Sequence, residues 1–251
     1  MSCFADHFAR VAAGYAAHRP GYPSELFSWL ASQCVRHDLV WDCATGSGQA
    51  ATELAARFQQ VWATDASSAQ IATAVAQERV RYLTAPAHAS GLPDQSADLI
   101  TVAQALHWFE LKSFYAEVCR VLRPGGVLAV WTYGVFQVDC LDAGKVQELL
   151  NRFYRETVGP CWPPERRHVE NGYAELPFPF REIQSPEFCM SVTWGLEDLA
   201  GYLRSWSATA RYQELHCADP VGELLMELEP AWGAMGRRVA WPLSMKVGRI
   251  D

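Results

Sequence analysis

Residues 39–51 of the 251-residue chain read LVWDCATGSGQAA, and this stretch decides the fold. A short apolar run followed by glycines is typical of a buried strand that ends in a tight turn, and the alanines after the turn predict a helix lying close to a sheet. The N–H groups at the start of such a helix have no partner within the helix, so the loop favours binding of a ligand. We therefore predict a strand–loop–helix unit with a ligand site above the carboxyl end of the strand.

Two classes of cofactor fit this loop. Its residues 46–51, GSGQAA, match the G-x-G-x-x-A pattern of dinucleotide-binding proteins, which would indicate an NAD-dependent oxidoreductase. Asp42 instead suits the cationic amino-acid part of S-adenosylmethionine and would repel a pyrophosphate. A short-chain dehydrogenase would also need Lys four residues after a Tyr, and none of the nine tyrosines has one. The glycine motif alone leaves both cofactors, and a turn without any ligand, open.

The apolar pattern around the loop predicts an α/β fold with a doubly wound, mostly parallel, seven-stranded sheet. Short apolar strands that alternate with helices are typical of a parallel sheet covered on both faces. The predicted strands are 39–43, 60–64, 80–83, 99–103, 127–131, 181–192 and 243–249. The predicted helices are 25–36, 49–58, 68–79, 114–122, 141–158 and 196–206.

We interpret residues 1–251 as a single domain with four parts. Residues 37–135 form the cofactor-binding core, and residues 1–24, with aromatic side chains at helical spacing, form an N-terminal lid. The stretch 136–180, interrupted by prolines, is interpreted as an insertion that caps the active site. Residues 181–251 are expected to complete the sheet.

Composition and charge argue against several classes of function. With 21 basic and 28 acidic residues the chain has a net charge of −7, which argues against a nucleic-acid partner or an anionic membrane surface. No stretch approaches the roughly 18 apolar residues that span a bilayer, and the N-terminus does not resemble a signal peptide. The eight cysteines are scattered singly, so we expect reduced thiols in a cytoplasmic protein, and no metal site.

Further motifs accompany the glycine loop in a fixed order. They are Tyr15, Arg19-Pro20-Gly21-Tyr22-Pro23, Asp65-Ala66-Ser67, Ser96-Ala97-Asp98-Leu99-Ile100, Ala105-Leu106-His107-Trp108-Phe109 and Val121-Leu122-Arg123-Pro124-Gly125-Gly126. With them the chain resembles the class I S-adenosylmethionine-dependent methyltransferases of the type 11 group over roughly residues 8–135. Within that group it is most similar to the small-molecule enzymes related to trans-aconitate methyltransferases.

The resemblance implies S-adenosylmethionine as the cofactor and S-adenosylhomocysteine as the product. It places Gly46 and Gly48 under the methionyl part and Asp42 near the ammonium group of that part. Asp65, at the end of the second strand, would bind the ribose hydroxyls. The full set of expected cofactor-binding residues is Tyr15, Asp42, Ala44, Thr45, Gly46, Gly48, Asp65, Ala66, Ile71, Ala87, His88, Gln104 and Ala105.

Two of these positions depart from the family pattern. Ala44 replaces the first glycine of D-x-G-x-G-x-G, a change that is tolerable if its φ is negative. Pro86 replaces the acid that commonly meets the adenine amino group. Adenine recognition would then depend on backbone groups near Ala87 and His88.

His107 and Arg19 are the candidate catalytic residues. His107 follows the fourth strand, at the edge where open α/β sheets bind ligands, and could act as a general base or orient an acidic substrate. A structural histidine that caps a loop is the alternative. Arg19 could pair bidentately with a carboxylate, and Tyr15 could close over the cofactor as part of the lid.

The second half of the chain contains many aromatic residues with arginines nearby, among them Trp162, Arg166 and Arg167. Such residues could build a pocket for a carboxylate or a planar substrate, or they could simply fill a core. An adjacent arginine pair is usually solvated.

The predicted function is methyl transfer to a small molecule, with carboxylic acids among the candidate acceptors. A carboxylate acceptor needs no general base, whereas a hydroxyl or an amine would, and the sequence does not choose between them. The alternatives are a catalytically silent cofactor-binding protein that serves as an interaction partner, and an NAD-dependent oxidoreductase. The sequence gives no indication of the oligomeric state.

Overall fold

A computed structural model describes residues 20–139 and 143–251 of the chain. Its main sheet has seven strands: β1 (Leu39–Cys43), β2 (Gln60–Asp65), β3 (Val80–Thr84), β4 (Ala97–Ala103), β5 (Leu122–Thr132), β7 (Arg181–Glu182) and β10 (Ser244–Arg249). Their order is β3-β2-β1-β4-β5-β10-β7, and all neighbours pair in parallel except β10, which is antiparallel to β5 and β7. The predicted seven-stranded, mostly parallel α/β sheet is confirmed.

Helices cover both faces of the main sheet because its strands are apolar on both sides. On one face lie α1 (Ser24–Ser32) and α2 (Gln49–Ala55), and on the other lies α4 (Leu111–Val121), preceded by a 3-10 turn at Leu106–Trp108. A short helix, α3 (Ser68–Ala72), follows β2. Each face therefore has its own apolar cluster, with the sheet between the two.

A second sheet lies in the C-terminal half. Its three strands are antiparallel, in the order β6-β9-β8, with β6 at Gln137–Asp139, β8 at Cys189–Trp194 and β9 at Arg237–Pro242. The helices beside it are α5 (Ala143–Arg152), α7 (Leu196–Arg204), α8 (Ser207–His216) and α9 (Pro220–Trp232).

We call this unit the second lobe and define it as residues 133–139, 143–162 and 189–243, which share a third apolar core. Helix α5 runs on as a π-helix at Phe153–Thr157, and a 3-10 turn follows at Gly159–Cys161. Many aromatic rings fill this core, including Phe136, Tyr154, Tyr202, Trp206 and Trp241. The high tryptophan content of the sequence is therefore largely explained by packing.

The strand predicted at 181–192 is wrong, because this stretch contains two strands that belong to different sheets. β7 joins the main sheet, and β8 joins the second lobe after a turn through residues 183–188. Within residues 181–251, the main sheet receives β7 and β10 only. Along the described residues the chain passes between the two sheets four times, before β6, β7, β8 and β10.

Several element bounds also differ from the predicted ones. The helix expected over 68–79 ends at Ala72, and Val75 beyond it is exposed, so a longer helix would have had little apolar surface to bury. Strand β5 starts as soon as α4 ends and runs through Arg123-Pro124-Gly125-Gly126, with a register shift opposite β4. Helices α8 and α9 and strand β9 were not predicted.

Helix α6 (Arg166–Glu170) connects the two halves of the molecule, since it packs against the 3-10 turn Leu106–Trp108 and its Val169 is buried in the apolar cluster beside α4. Among the described residues, no helix is both long and apolar enough to cross a membrane.

Candidate functional site

A cleft opens at the carboxyl ends of β1, β2 and β4, which is where open parallel sheets bind ligands. Its walls include the turn after β1, the end of β2 and the segment after β4. Of the residues predicted to bind a cofactor, the following line the cleft: Asp42, Ala44, Thr45, Gly46, Asp65, Ala66, Ala87, Gln104 and Ala105. The turns between strands and helices thus bring together residues that are up to 63 positions apart in sequence, from Asp42 to Ala105.

The turn after β1 is built from left-handed backbone. Ala44, Gly46 and Gly48 have φ values of 57°, 59° and 90°. The condition under which alanine would be tolerated at this position, a negative φ, is therefore not met. A left-handed alanine costs about 1–2 kcal/mol relative to the right-handed conformation, so the turn is strained at the position where the family has glycine.

Gly48 caps α2 and lies beneath β3. A Cβ at this residue would lie 2.4 Å from the hydroxyl oxygen of Tyr82, so both the backbone conformation and the space require glycine. Gly48 is buried and does not line the cleft itself. It lets α2 approach the sheet closely.

Asp42 is fully buried at the floor of the cleft. Thr45 Oγ1 donates to its Oδ2 at 2.5 Å and Thr101 Oγ1 donates to its Oδ1 at 2.7 Å. Thr101 is the β4 residue paired with Asp42 across the sheet, so the parallel register fixes this contact. Burial raises the pKa of the Asp42 carboxyl to about 6, against the opposing effect of the two hydroxyl hydrogen bonds.

Asp65 stands at the end of β2 with both carboxylate oxygens oriented by backbone groups. The N–H of Gly46 donates to Oδ2 at 3.0 Å and the N–H of Ser67 donates to Oδ1 at 2.8 Å. Each oxygen keeps lone-pair capacity toward the cleft, which suits a pair of neighbouring hydroxyl donors. Burial raises the pKa of this carboxyl above its usual value.

Gln104 directly follows β4 and has a left-handed conformation with φ 57°. Both the nitrogen and the oxygen of its side-chain amide form hydrogen bonds. Its Nε2 donates to the carbonyl of Tyr133 at 2.9 Å, and its Oε1 accepts from Thr132 Oγ1 at 2.6 Å. The amide is thus committed to β5, and Gln104 contributes shape more than free hydrogen-bonding groups to the cleft.

Other predicted residues lie away from the cleft or outside the described part of the chain. Ile71 is on α3, but Gln70 is the residue of this helix that lines the cleft. His88 is exposed, while its neighbour Ala87 lines the wall. Two predicted residues, Tyr15 and Arg19, lie outside the described residues.

His107 does not line the cleft but lies behind it, next to α6. Burial, with the charges of Arg166 and His168, lowers the pKa of His107 to about 3, so its ring is neutral at pH 7. Its Nδ1 is 3.0 Å from the hydroxyl of Tyr173, and burial raises the pKa of that phenol. A hydrogen bond to this phenol therefore engages Nδ1. Because His107 does not line the cleft, the geometry does not favour the general-base role predicted for it.

Sequence reasoning did not assign Tyr133 to the cofactor site, although this residue lines the cleft. Tyr22, from the predicted lid segment 1–24, also lines the cleft and packs edge-on against Trp131, with ring centroids 5.5 Å apart. Trp108 and Phe109 form another wall, as their position after β4 suggested. Tyr133 gave no sequence signal, because only the pairing of β5 with β4 places the end of β5 at the cleft.

The residues present fit a nucleoside with a cationic substituent. The Asp65 carboxylate has capacity for two hydroxyl donors, the buried Asp42 carboxyl suits a nearby cation, and the walls around them are small or aromatic. A pyrophosphate would meet the Asp42 carboxyl at the floor of the same cleft. The site thus favours the sulfonium nucleoside over the dinucleotide.

Comparisons with known proteins agree with this assignment. A family model described as a methyltransferase domain matches residues 41–130. The chain is 34% identical over 231 residues to a protein of Dictyostelium discoideum described as a methyltransferase, and the match covers 91% of this chain and 87% of that protein. It is 25% identical over 260 residues to the methyltransferase cfoB of Aspergillus candidus, covering 92% and 80% of the two chains.

A solved structure from Anaeromyxobacter dehalogenans, described as a type II methyltransferase, superposes with a TM-score of 0.86. It is 42% identical, and the match covers 93% of this chain and 98% of the other. The chain therefore belongs to the class I S-adenosylmethionine-dependent methyltransferases, and S-adenosylmethionine is its cofactor.

Proposed function

We propose that this methyltransferase acts on a small molecule and that its acceptor is a carboxylic acid. The cofactor cleft with Asp65 at its ribose end is the observation that carries methyl transfer. The aromatic walls at Trp108, Phe109 and Tyr133 support a small acceptor, because they leave a compact cleft beside the cofactor loop. The net charge of −7 argues against a nucleic-acid acceptor.

Different residues of the cleft are proposed to bind different parts of the cofactor. We assign Asp65 to the ribose hydroxyls, Asp42 to the neighbourhood of the methionyl ammonium group, and Ala87 to the adenine side. The backbone turn at Ala44 and Gly46 lets the loop approach the methionyl part closely. The lid role of residues 1–24, with Tyr15 and Arg19, remains a prediction, as does the similarity to trans-aconitate methyltransferases.

When bound, S-adenosylmethionine supplies an electrophilic methyl group on a positively charged sulfur. The protein contributes alignment of the acceptor and exclusion of water from the cleft. With a carboxylate as acceptor, one of its oxygens would form the new O–C bond as the S–C bond breaks, and the bonding electron pair would stay on sulfur. The products would be a methyl ester and S-adenosylhomocysteine. No proton would move, which fits a site where His107 does not line the cleft.

We further propose a cytoplasmic location. The six cysteines in the described ranges, which are Cys34, Cys43, Cys119, Cys161, Cys189 and Cys217, all have free thiols. Free thiols are typical of a reducing compartment. Exposed thiols such as that of Cys119 would be at risk of oxidation elsewhere.

Isothermal titration with S-adenosylhomocysteine, followed by an assay with labelled methyl groups against small carboxylic acids, tests the proposal. We expect binding, transfer to at least one acid, and an affinity about ten to a hundredfold lower in Asp65→Asn, which loses charge-assisted hydrogen bonds. Asp251→Asn, at an exposed acid with a 93% accessible side chain, is the control and should bind normally. Binding without turnover on any acceptor would favour the catalytically silent alternative, and tight NAD binding alone would favour the oxidoreductase.

A further inference from the structure

Arg166, at the start of α6, is held by aromatic rings of the second lobe. Its guanidinium carbon lies 4.6 Å from the ring centroid of Trp162 and 5.6 Å from that of Tyr154. Its Nε donates to the hydroxyl of Tyr154 at 2.8 Å. These contacts fix the orientation of the planar guanidinium, and among the described residues its two terminal nitrogens have no hydrogen-bond partner.

Within the described ranges, Arg166 forms no ion pair with a carboxylate. Glu170 is linked to it only through the Tyr154 hydroxyl, which donates to Glu170 Oε1 at 2.6 Å. The neighbouring Arg167 is exposed, whereas Arg166 is partly buried. A partly desolvated guanidinium is normally paired with an anion, so the site has the character of one half of a charge pair.

Two other polar groups of the segment 162–168 have no hydrogen-bond partner among the described residues. They are the indole N–H of Trp162 and Nδ1 of His168, and both atoms are buried. Buried polar atoms without a partner are uncommon in native proteins and are expected to find one when a ligand binds. The indole of Trp162 packs against the guanidinium, and the charges of Arg166 and His168 both act on His107, so the three groups belong to one region of the protein, which we call the cluster.

This cluster adjoins the cofactor cleft through a short chain of contacts. Helix α6 packs against the turn Leu106–Trp108, and the ring of His107 lies 4.7 Å from that of Trp108, which lines the cleft. The charges of Arg166 and His168 both act on His107. The cluster thus lies on the second-lobe side of the cleft, beyond the Trp108 wall.

We propose that Arg166, with Trp162 and His168, binds a carboxylate of the methyl acceptor and thereby sets its specificity. This inference rests on the proposed function of the cleft. The guanidinium donates both terminal N–H groups to the two carboxylate oxygens, and the aromatic rings keep it in the required plane. Arg166 is a specificity-determining residue, and it takes no part in breaking or forming bonds.

A carboxylate bound in this way is not the group that receives the methyl group. Its oxygens are engaged by the guanidinium, and their lone pairs are less available for attack. The acceptor therefore has two functional groups, a carboxylate that anchors it at Arg166 and a second nucleophile, such as another carboxylate, that faces the cofactor.

The test compares acids with amides of the same shape. The probes are succinate with succinamate, glutarate with glutaramate, and 4-hydroxybenzoate with 4-hydroxybenzamide, each assayed for methyl transfer with labelled S-adenosylmethionine. The wild type is compared with Arg166→Gln, with Arg166→Lys, and with Arg167→Gln as the matched exposed control. The affinity for S-adenosylhomocysteine and the thermal midpoint are measured for every variant.

We expect the wild type to prefer an acid over its amide. Arg166→Gln should raise the KM for that acid about ten to a hundredfold and change kcat much less. The KM of Arg166→Lys should fall between those of the wild type and Arg166→Gln, because a lysine keeps the charge without the bidentate geometry. Arg167→Gln should match the wild type, and the affinity for S-adenosylhomocysteine should be unchanged in all variants.

Four results would overturn the assignment while leaving methyl transfer intact. They are equal use of acid and amide, an unchanged KM in Arg166→Gln, a thermal midpoint that falls with no change in KM, and transfer to neutral probes only. If Arg166→Gln lost affinity for S-adenosylhomocysteine by as much as its KM for the acid rose, Arg166 would instead bind the cofactor carboxylate. That result would also overturn the proposed role of Arg166. A wild type that does not bind S-adenosylhomocysteine would refute the proposed site as a whole.

Discussion

The cofactor cleft and the second lobe are organised in opposite ways. In the cleft, Asp42, Asp65 and Gln104 are already paired with hydroxyl, N–H or carbonyl groups before any ligand arrives. In and beside the second lobe, Trp162 and His168 keep buried polar atoms without partners among the described residues. A site for a constant ligand can be fully preorganised, whereas a site for an acceptor leaves groups for the acceptor to satisfy.

The largest expected effect comes from a substitution that would create a large cavity in the second lobe. Trp241 is fully buried, donates to the Tyr202 hydroxyl at 3.1 Å and contacts three other rings. Trp241→Ala should destabilise the protein by about 3–5 kcal/mol, measured by denaturant unfolding. At a temperature where the variant is folded, its affinity for S-adenosylhomocysteine should stay within about twofold of the wild type.

Trp131→Ala is the matched variant in the main sheet, at another fully buried tryptophan. It should cost a similar free energy and also weaken cofactor binding, because Trp131 supports Tyr22 in the cleft wall. If both variants weaken binding equally, the two regions are not separable in the way we describe.

A second experiment concerns the cofactor cleft. It separates the packing role of Gly48 from the ligand contact expected at Gly46 in the turn after β1. Gly48→Ala should destabilise the protein by about 2–4 kcal/mol, since the new methyl group meets the Tyr82 hydroxyl in a left-handed backbone. Gly46→Ala has nothing closer than 4.0 Å to its new Cβ and should cost only about 1–2 kcal/mol. It should nevertheless weaken S-adenosylhomocysteine binding, because Gly46 lines the cleft.

Thermal unfolding and titration of the two glycine variants provide the measurement. The contrary result is a Gly46→Ala protein that is the less stable of the two, or one that binds as the wild type does.

The pH dependence of binding tests the buried carboxyl. Its pKa is raised from 3.8 to about 6 in the free protein, so Asp42 loses its charge as the pH falls below 6. If it meets the ammonium group, S-adenosylhomocysteine should bind about tenfold more weakly at pH 5 than at pH 7, with a plateau above pH 7. Titration calorimetry measures this, and Asp42→Asn should remove the pH dependence.

The same carboxyl affects folding stability in the opposite direction: binding is expected to strengthen as the pH rises, whereas the stability of the folded state is expected to fall. A carboxyl whose folded pKa is raised stabilises the folded state fully below the unfolded value of 3.8, and this contribution is lost as the pH rises through 6. Wild type and Asp42→Asn should therefore diverge in stability across that range. Parallel stability curves would show that the carboxyl is not buried in the free protein.

The smallest expected effect is a gain in stability. Ala44→Gly relieves left-handed strain and loses some chain-entropy advantage, for a net stabilisation of about 0.5–1 kcal/mol. The thermal midpoint should rise by about 1–4 °C. A lower midpoint would mean that Ala44 is not strained in solution.

The sequence predicts the cofactor half well because its signals are local. Short apolar runs mark the strands between Leu39 and Ala103, and Gly46 and Gly48 mark the turn after β1. The second lobe depends on contacts between distant segments, such as the pairing of β6 with β9, which local patterns do not contain. The positive φ of Ala44 and the different surroundings of Arg166 and Arg167 likewise follow from tertiary packing.

The fourfold passage of the chain between the two sheets has a consequence for recombination. Because β7 interrupts the second lobe, this lobe is encoded by two separated stretches, on either side of residues 181–182. A chimera that exchanges one stretch with a relative would pair β6 of one parent with β9 of the other and mismatch their shared core. A functional graft must therefore replace both stretches while keeping β7 and β10 of the host, and it must include α6 if it is to carry the proposed acceptor residue Arg166.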